Sequence, residues 1–260
     1  MTEVNPERPP AWSRRWNEPM MATLITSTTA AATTTKVRLR FAKSGDLRLV
    51  SHHDLMRCLE RMLRRAGLPV AYTQGFNPRP KVTFALALAL GIEGCREVLD
   101  LEFDEPMEPS EVLRRLAAEA PPGFDFLEAE ATGPGRAARV VAASYRLLIP
   151  KDHRDRACAA VADLLSRESL PYTRHRPDRT VELDLRPFVL GARLAADGVL
   201  ELRMKIAPEG SARPEEVIDA LGLKDLVAEG AVLVRADVEL HTPDGGQDPP
   251  APGSNLNSSR

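Results

Sequence analysis

Between Val37 and Leu240 the apolar residues recur at a spacing of two in some stretches and of three to four in others, and the order of these stretches runs through twice. The first spacing lines one face of a strand and the second one face of a helix. Val37, Leu39 and Phe41 alternate with Arg38 and Arg40, as a half-buried strand does. Leu55, Leu59, Met62, Leu63 and Ala66 make a helical stripe, with Ser51 as N-cap and Gly67-Leu68-Pro69 as the stop. Lys81 to Leu90 reads as a strand without a charged face, which predicts cover on both sides. Glu97 to Phe103 alternates again, Pro109 to Ala120 forms a helix stopped by Pro121-Pro122-Gly123, and Phe124 to Ala131 supplies a last strand.

The same order recurs over Val140 to Ile149, Asp152 to Arg167, Thr180 to Leu185, Val199 to Ile206, Pro214 to Leu221 and Ala231 to Leu240. Strand, helix, strand, strand, helix, strand is the order of the split βαβ unit. The expected fold is therefore α+β, with tandem ferredoxin-like (βαββαβ) domains at 36–132 and 140–241 joined by a linker at 133–139. Residues 1–35, which end in Ala/Thr low complexity, and the Pro-, Gly- and Ser-rich residues 242–260 are expected to be disordered tails. Met20 and Met21 make a later start plausible.

No apolar run approaches membrane-spanning length, and Arg14-Arg15 lacks a following continuous apolar segment, which argues against export. Cys58, Cys95 and Cys158 lie far apart with no CxxC spacing, so no zinc site, iron–sulfur cluster or disulfide framework is expected. A reducing cytoplasm fits that usage. No GxxxxGK[ST] or post-strand GxGxxG signals a nucleotide site, and no cofactor is expected.

Charge is unevenly spread. The chain carries a net charge of −2, yet residues 36–81 hold eleven Lys or Arg against three acids, while residues 93–130 hold twelve acids against three bases. If Val37, Leu39 and Phe41 face the helices, Arg38 and Arg40 share the open sheet face with Asp100 and Glu102, where cross-strand pairs neutralise them. What remains is the first helix and the loop after it. Arg57, Arg61, Arg64 and Arg65 fall on the face opposite the leucines, suited to an anion. In Gln74-Gly75-Phe76-Asn77-Pro78-Arg79-Pro80-Lys81 the prolines extend the preceding residues and Gly75 permits a left-handed turn. Phe76 either stacks on a base or plugs the core, while Arg79 and Lys81 are presented from a stiff chain. Ser51, His52 and Asp54 open the helix. His52 is a candidate proton-transfer group, but no second catalytic group can be assigned, and adjacent histidines in a helix point too far apart to share a metal.

These residues carry a resemblance. Ser51-His52, Asp54-Leu55-Met56-Arg57, Arg64-Arg65-Ala66-Gly67-Leu68-Pro69, Ala71-Tyr72, Gln74-Gly75-Phe76-Asn77-Pro78 and Pro80-Lys81, within Val37 to Asp104, resemble the radical SAM-linked proteins. Those are bacterial proteins with a domain of unknown function, encoded beside or fused to a radical S-adenosylmethionine protein. The family prefers Leu at the position of His53 and His at that of Arg79. A mechanism needing a histidine in the proline loop fails here, which favours binding over catalysis.

The resemblance implies a radical SAM partner. This chain lacks clustered cysteines, so radical chemistry belongs to that partner. The leading expectation is a non-catalytic accessory or substrate-binding protein acting on tRNA or rRNA through Ser51, His52, Asp54, Arg57, Arg61, Arg64, Arg65, Gln74, Gly75, Phe76, Asn77, Arg79 and Lys81. One alternative is a metal-independent RNA endonuclease similar to those that process CRISPR transcripts, using His52. Its Gly-rich loop is not evident, since Gly191, Gly198 and Gly210 are scattered. The other is a protein-interaction module without RNA binding.

Overall fold

The computed structural model describes residues 36–133, 138–207 and 212–241. The expected tails and most of the linker, Gly135 included, lie outside the described residues, as does Gly210. The elements run β1 (Lys36–Lys43), α1 (His52–Arg65), β2 (Val82–Phe84), β3 (Glu93–Glu102), α2 (Pro109–Glu119), β4 (Phe124–Ala131), β5 (Val140–Leu148), α3 (Arg154–Ser166), β6 (Pro171–His175), β7 (Thr180–Asp184), β8 (Val189–Leu194), β9 (Val199–Lys205), α4 (Pro214–Ala220), α5 (Lys224–Ala228) and β10 (Leu233–Leu240). The class is mixed α+β, with one large mixed sheet and few helices.

The sheet follows the order β4-β1-β3-β10-β5-β9-β8, with β2 also beside β3. Neighbours are antiparallel except at the seam, where β10 runs parallel to β3 through Val234 opposite Glu93 and Arg235 opposite Gly94. On the helix-covered face of the first half, Val37, Leu39, Phe41, Leu99 and Leu101 pack against Leu55, Leu59 and Met62 of α1 and Val112 and Leu116 of α2. Phe41 stacks on Phe124 at 5.1 Å and meets Phe84 edge-on at 5.7 Å. Burial of each such side chain contributes roughly 1.5–3 kcal/mol. A second core gathers Tyr145, Leu147, Leu200, Leu202 and Met204 with Ala157, Val161 and Leu164 of α3.

Two expectations change. The strand over 81–90 ends at Phe84, because the place beside the start of β3 is taken by β10. The rest of the segment crosses the seam and sends Leu86 and Leu88 into the second core, while Thr83, Ala87, Ala89 and Leu90 are exposed, so the expected cover on both sides is not found. Thr180 to Leu185 was expected in the main sheet. Instead β7 pairs with β6 in a separate hairpin, and β8 stands beside β9. Arg174 binds Glu216 of α4 at 2.5 and 2.7 Å, and the Tyr172 hydroxyl donates to Asp219 at 2.9 Å, so the hairpin is held on α4.

The face opposite the helices, expected to be open, is partly covered around Val98 and Asp100 and is neutralised from within. Arg38 lies opposite Asp100 and donates to it at 2.8 and 3.2 Å, as the strand pattern predicts. Arg40 reaches Asp237 of β10 at 3.3 Å, and Glu102 pairs with Lys81 at 3.1 Å. Arg203 binds Glu239 at 2.7 and 2.6 Å, and Arg193 binds Glu201 at 2.6 Å.

A buried charged cluster closes the seam. Arg235 and Glu97, whose side chains are 3 % and 2 % exposed, form a two-pronged pair. Arg235 also donates to the carbonyls of Leu86 at 3.1 Å and Ala87 at 3.0 Å. Lys43, 1 % exposed, donates to the Val50 carbonyl at 3.0 Å, and burial holds its amine below the usual lysine range. Gly94 makes room for this arrangement, since a Cβ there would sit 2.6 Å from the Glu97 side chain.

Candidate functional site

The α1 sequence sets its own entry. The Ser51 hydroxyl accepts from the Asp54 backbone N–H at 3.2 Å and donates to the Asp54 carboxylate at 2.7 Å. That second bond holds the Asp54 carboxyl below its usual range, with Arg57 adding to the effect from 3.2 Å. Because both side chains are exposed, the Arg57–Asp54 pair adds little stability. The buried stripe of Leu55, Leu59, Met62 and Leu63 turns the arginines outward, and Arg57, Arg61, Arg64 and Arg65 are all exposed.

The four arginines differ in what they meet. Arg65 is engaged by α2, donating to the Glu119 carboxylate at 2.7 Å and to the Glu119 carbonyl at 2.9 Å. Arg57 is partly occupied by Asp54. Arg61 and Arg64 meet no acid among the described residues. The cationic surface of α1 is therefore narrower than the sequence implies, because Glu119 sits in an element whose approach to α1 has no local signature.

Residues 71–81 form a closed excursion between α1 and β2. Thr73 N–H donates to the Arg79 carbonyl at 2.8 Å, Arg79 N–H to the Thr73 hydroxyl at 3.0 Å, and Lys81 N–H to the Ala71 carbonyl at 2.7 Å. Gly75 takes φ +136°, the left-handed region expected of it. Gln74, Gly75, Phe76, Asn77 and Arg79 are exposed, and Arg79 meets no acid among the described residues. Phe76 is 105 % exposed, so it plugs no core. Lys81 is drawn to Glu102.

His52 lies edge-on to Phe84 with ring centroids 5.2 Å apart, which brings the start of α1 to the strand that follows the loop. Among the described residues no carboxylate binds His52, and no group of three or more His, Cys, Asp or Glu is placed to hold a metal. A hollow of about 330 Å³ lies at the end of α2, lined by Ala117, Pro121, Pro122 and Phe126, and none of the candidate residues borders it.

The sequence reading missed two features. Lys43, Glu97 and Arg235 are isolated charges within apolar strands, a pattern that marks buried polar residues once strand faces are assigned. The tip of the β6–β7 hairpin, His175 to Arg179, exposes His175, Arg176 and Arg179. Its signal was the dense RHRPDR run.

The chain belongs to the bacterial family described as "Uncharacterized protein conserved in bacteria" (DUF2344), whose profile matches residues 36–214. No curated protein matches it. Among solved structures it is similar to the crystal structure of an unknown protein from Galdieria sulphuraria, at 13 % identity over 80 % of this chain and 99 % of that one, with a TM-score of 0.26. It is also similar to the crystal structure of an anthrone oxidase-like protein, at 12 % identity over 75 % of this chain and 86 % of that one, with a TM-score of 0.19. Scores that low define neither fold nor function. No helix among the described residues is long and apolar enough to cross a membrane.

Proposed function

We propose that this protein is a non-catalytic accessory or substrate-binding protein that works with a radical SAM enzyme and holds tRNA or rRNA through α1 and the 71–81 loop. The observation that carries the reading is Phe76, fully exposed on a proline-stiffened loop that also exposes Arg79. Solvating a whole phenyl ring has no folding benefit, whereas an exposed ring beside cations suits a nucleobase and its phosphates. Arg61 and Arg64 add guanidinium groups that no internal acid meets among the described residues. The radical SAM partner follows from the resemblance of residues 37–104, and a cytoplasmic location from the cysteine usage.

We also propose that the large sheet is built from two ferredoxin-like units. The orders β4-β1-β3-β2 and β10-β5-β9-β8 each match a ferredoxin-like unit in which the first and third strands are central neighbours. Residues 36–132 and 140–241 are then two such units fused through β3 and β10.

Binding is favoured over RNA cleavage because His52 packs edge-on against Phe84 and, among the described residues, no carboxylate binds it. The protein-interaction reading draws on the same Phe76, since exposed aromatics also anchor protein interfaces. Filter binding with total bacterial tRNA separates them. Arg61→Ala/Arg64→Ala is expected to weaken binding and flatten its salt dependence. Binding identical to the parent protein rejects the RNA assignment.

A further inference from the structure

The two halves place an excursion at the same point of their order, after the first helix and before the second strand: residues 71–81 between α1 and β2, and β6–β7 between α3 and β8. The pairings fix their relative direction. β1 is antiparallel to β3, β3 parallel to β10, and β10 antiparallel to β5, so β1 and β5 run the same way. β2 is antiparallel to β3, and β8 is antiparallel to β9, itself antiparallel to β5, so β2 and β8 run that way too. Both excursions therefore stand at the sheet end from which β2 and β8 begin.

The cores of the two halves also lie on one sheet face. Glu97 lies on the face of Leu99 and Leu101, and Arg235 lies opposite Tyr145 of the second core; the buried pair between Glu97 and Arg235 makes these one face. Arg174, bound to Glu216 in the first turn of α4, holds the second hairpin at the end where β9 finishes. Two residues further on, Arg176 N–H donates to the Arg179 carbonyl at 2.9 Å and closes the tip around Pro177. His175, Arg176 and Arg179 are exposed and meet no acid among the described residues. Asp178, also exposed, is the one acid of the run from Arg174 to Arg179.

We infer that the β6–β7 tip is a second phosphate-contact point, with Arg176 and Arg179 gripping the same RNA strand that the 71–81 loop holds. β10 shares with β2 the side of β3 away from β1, and β5, β9 and β8 follow it. Three strand spacings of about 4.8 Å thus separate the starts of β2 and β8 by ~15 Å across the sheet, and their register adds to that along the strands. A strand rising about 3.4 Å per nucleotide needs at least about four nucleotides to join them. One single-stranded segment can then lie along the rim, its base on Phe76 and its downstream phosphates at the hairpin. This rests on the RNA-binding reading.

The test uses the full chain and total bacterial tRNA, with filter binding at salt from about 50 to 200 mM. Arg176→Ala/Arg179→Ala is expected to weaken binding and to reduce the slope of log K against log salt by ~1.4, at about 0.7 per phosphate contact. Arg176→Gln/Arg179→Gln should give the same slope. Both pairs lie outside the Tyr172 and Arg174 attachments, so the unfolding midpoint should not move. If the parent protein binds tRNA and the hairpin variants match it, or weaken at an unchanged slope, the second contact point is wrong and the proposed function stands. If the parent protein binds no tRNA, both are wrong.

Discussion

Glu97 of β3 and Arg235 of β10, 138 residues apart in the chain, face each other as a buried two-pronged ion pair where the two halves of the sheet meet. Their partners include Leu86 and Ala87 carbonyls that the truncated β2 segment leaves without strand partners. Glu97→Ala strips Arg235 and nearby Lys43 of their counter-charge and should lower stability by about 3–5 kcal/mol. The paired change Glu97→Leu/Arg235→Met should cost less, because it leaves no orphaned guanidinium. Urea denaturation of both variants checks the order.

Ser51 both caps α1 and binds the Asp54 carboxylate. Ser51→Ala should therefore lose about 0.5–2 kcal/mol, and Ser51→Asn markedly less. Thermal melts of the two variants measure the difference.

At the start of α2, Arg114 and then Arg115 hold the Glu111 carboxyl down to about 2. A carboxyl depressed in the folded state stabilises above its unfolded value of 4.5, and that contribution disappears as pH falls from 4.5 towards 2. Glu111→Gln lacks the titration. Its stability should fall less steeply than the parent's over that window when unfolding is followed by circular dichroism.

The cysteines should react in a fixed order. Cys158 is exposed, whereas burial pushes the Cys95 thiol up to about 11 and leaves little thiolate at neutral pH. Timed alkylation with iodoacetamide at neutral pH, read by peptide mass, should label Cys158 well before Cys95.

What the sequence made legible was whatever local periodicity and strand order determine. The Ser51 cap, the α1 stripe and the pairing of Arg38 with Asp100 follow from neighbours along one element or from opposed positions in adjacent strands. The end of β2 did not follow, since it is set by β10 roughly 150 residues later. Residues 180–184 alternate whereas 189–194, with a bulge between Val189 and Gly191, do not, so periodicity favoured the hairpin strand and only the partner reveals the sheet strand. Arg65 looked free because the approach of Glu119 belongs to tertiary packing. Phe76 was ambiguous for a related reason: nothing in a loop sequence tells whether an aromatic turns in or out.

Equilibrium binding of total bacterial tRNA to the parent protein and to Phe76→Ala, with the melting temperature of each, bears most directly on the claim that this ring meets a base. The account predicts an unchanged melting temperature and an affinity loss of about 1–3 kcal/mol. Equal affinities for the two proteins would contradict it.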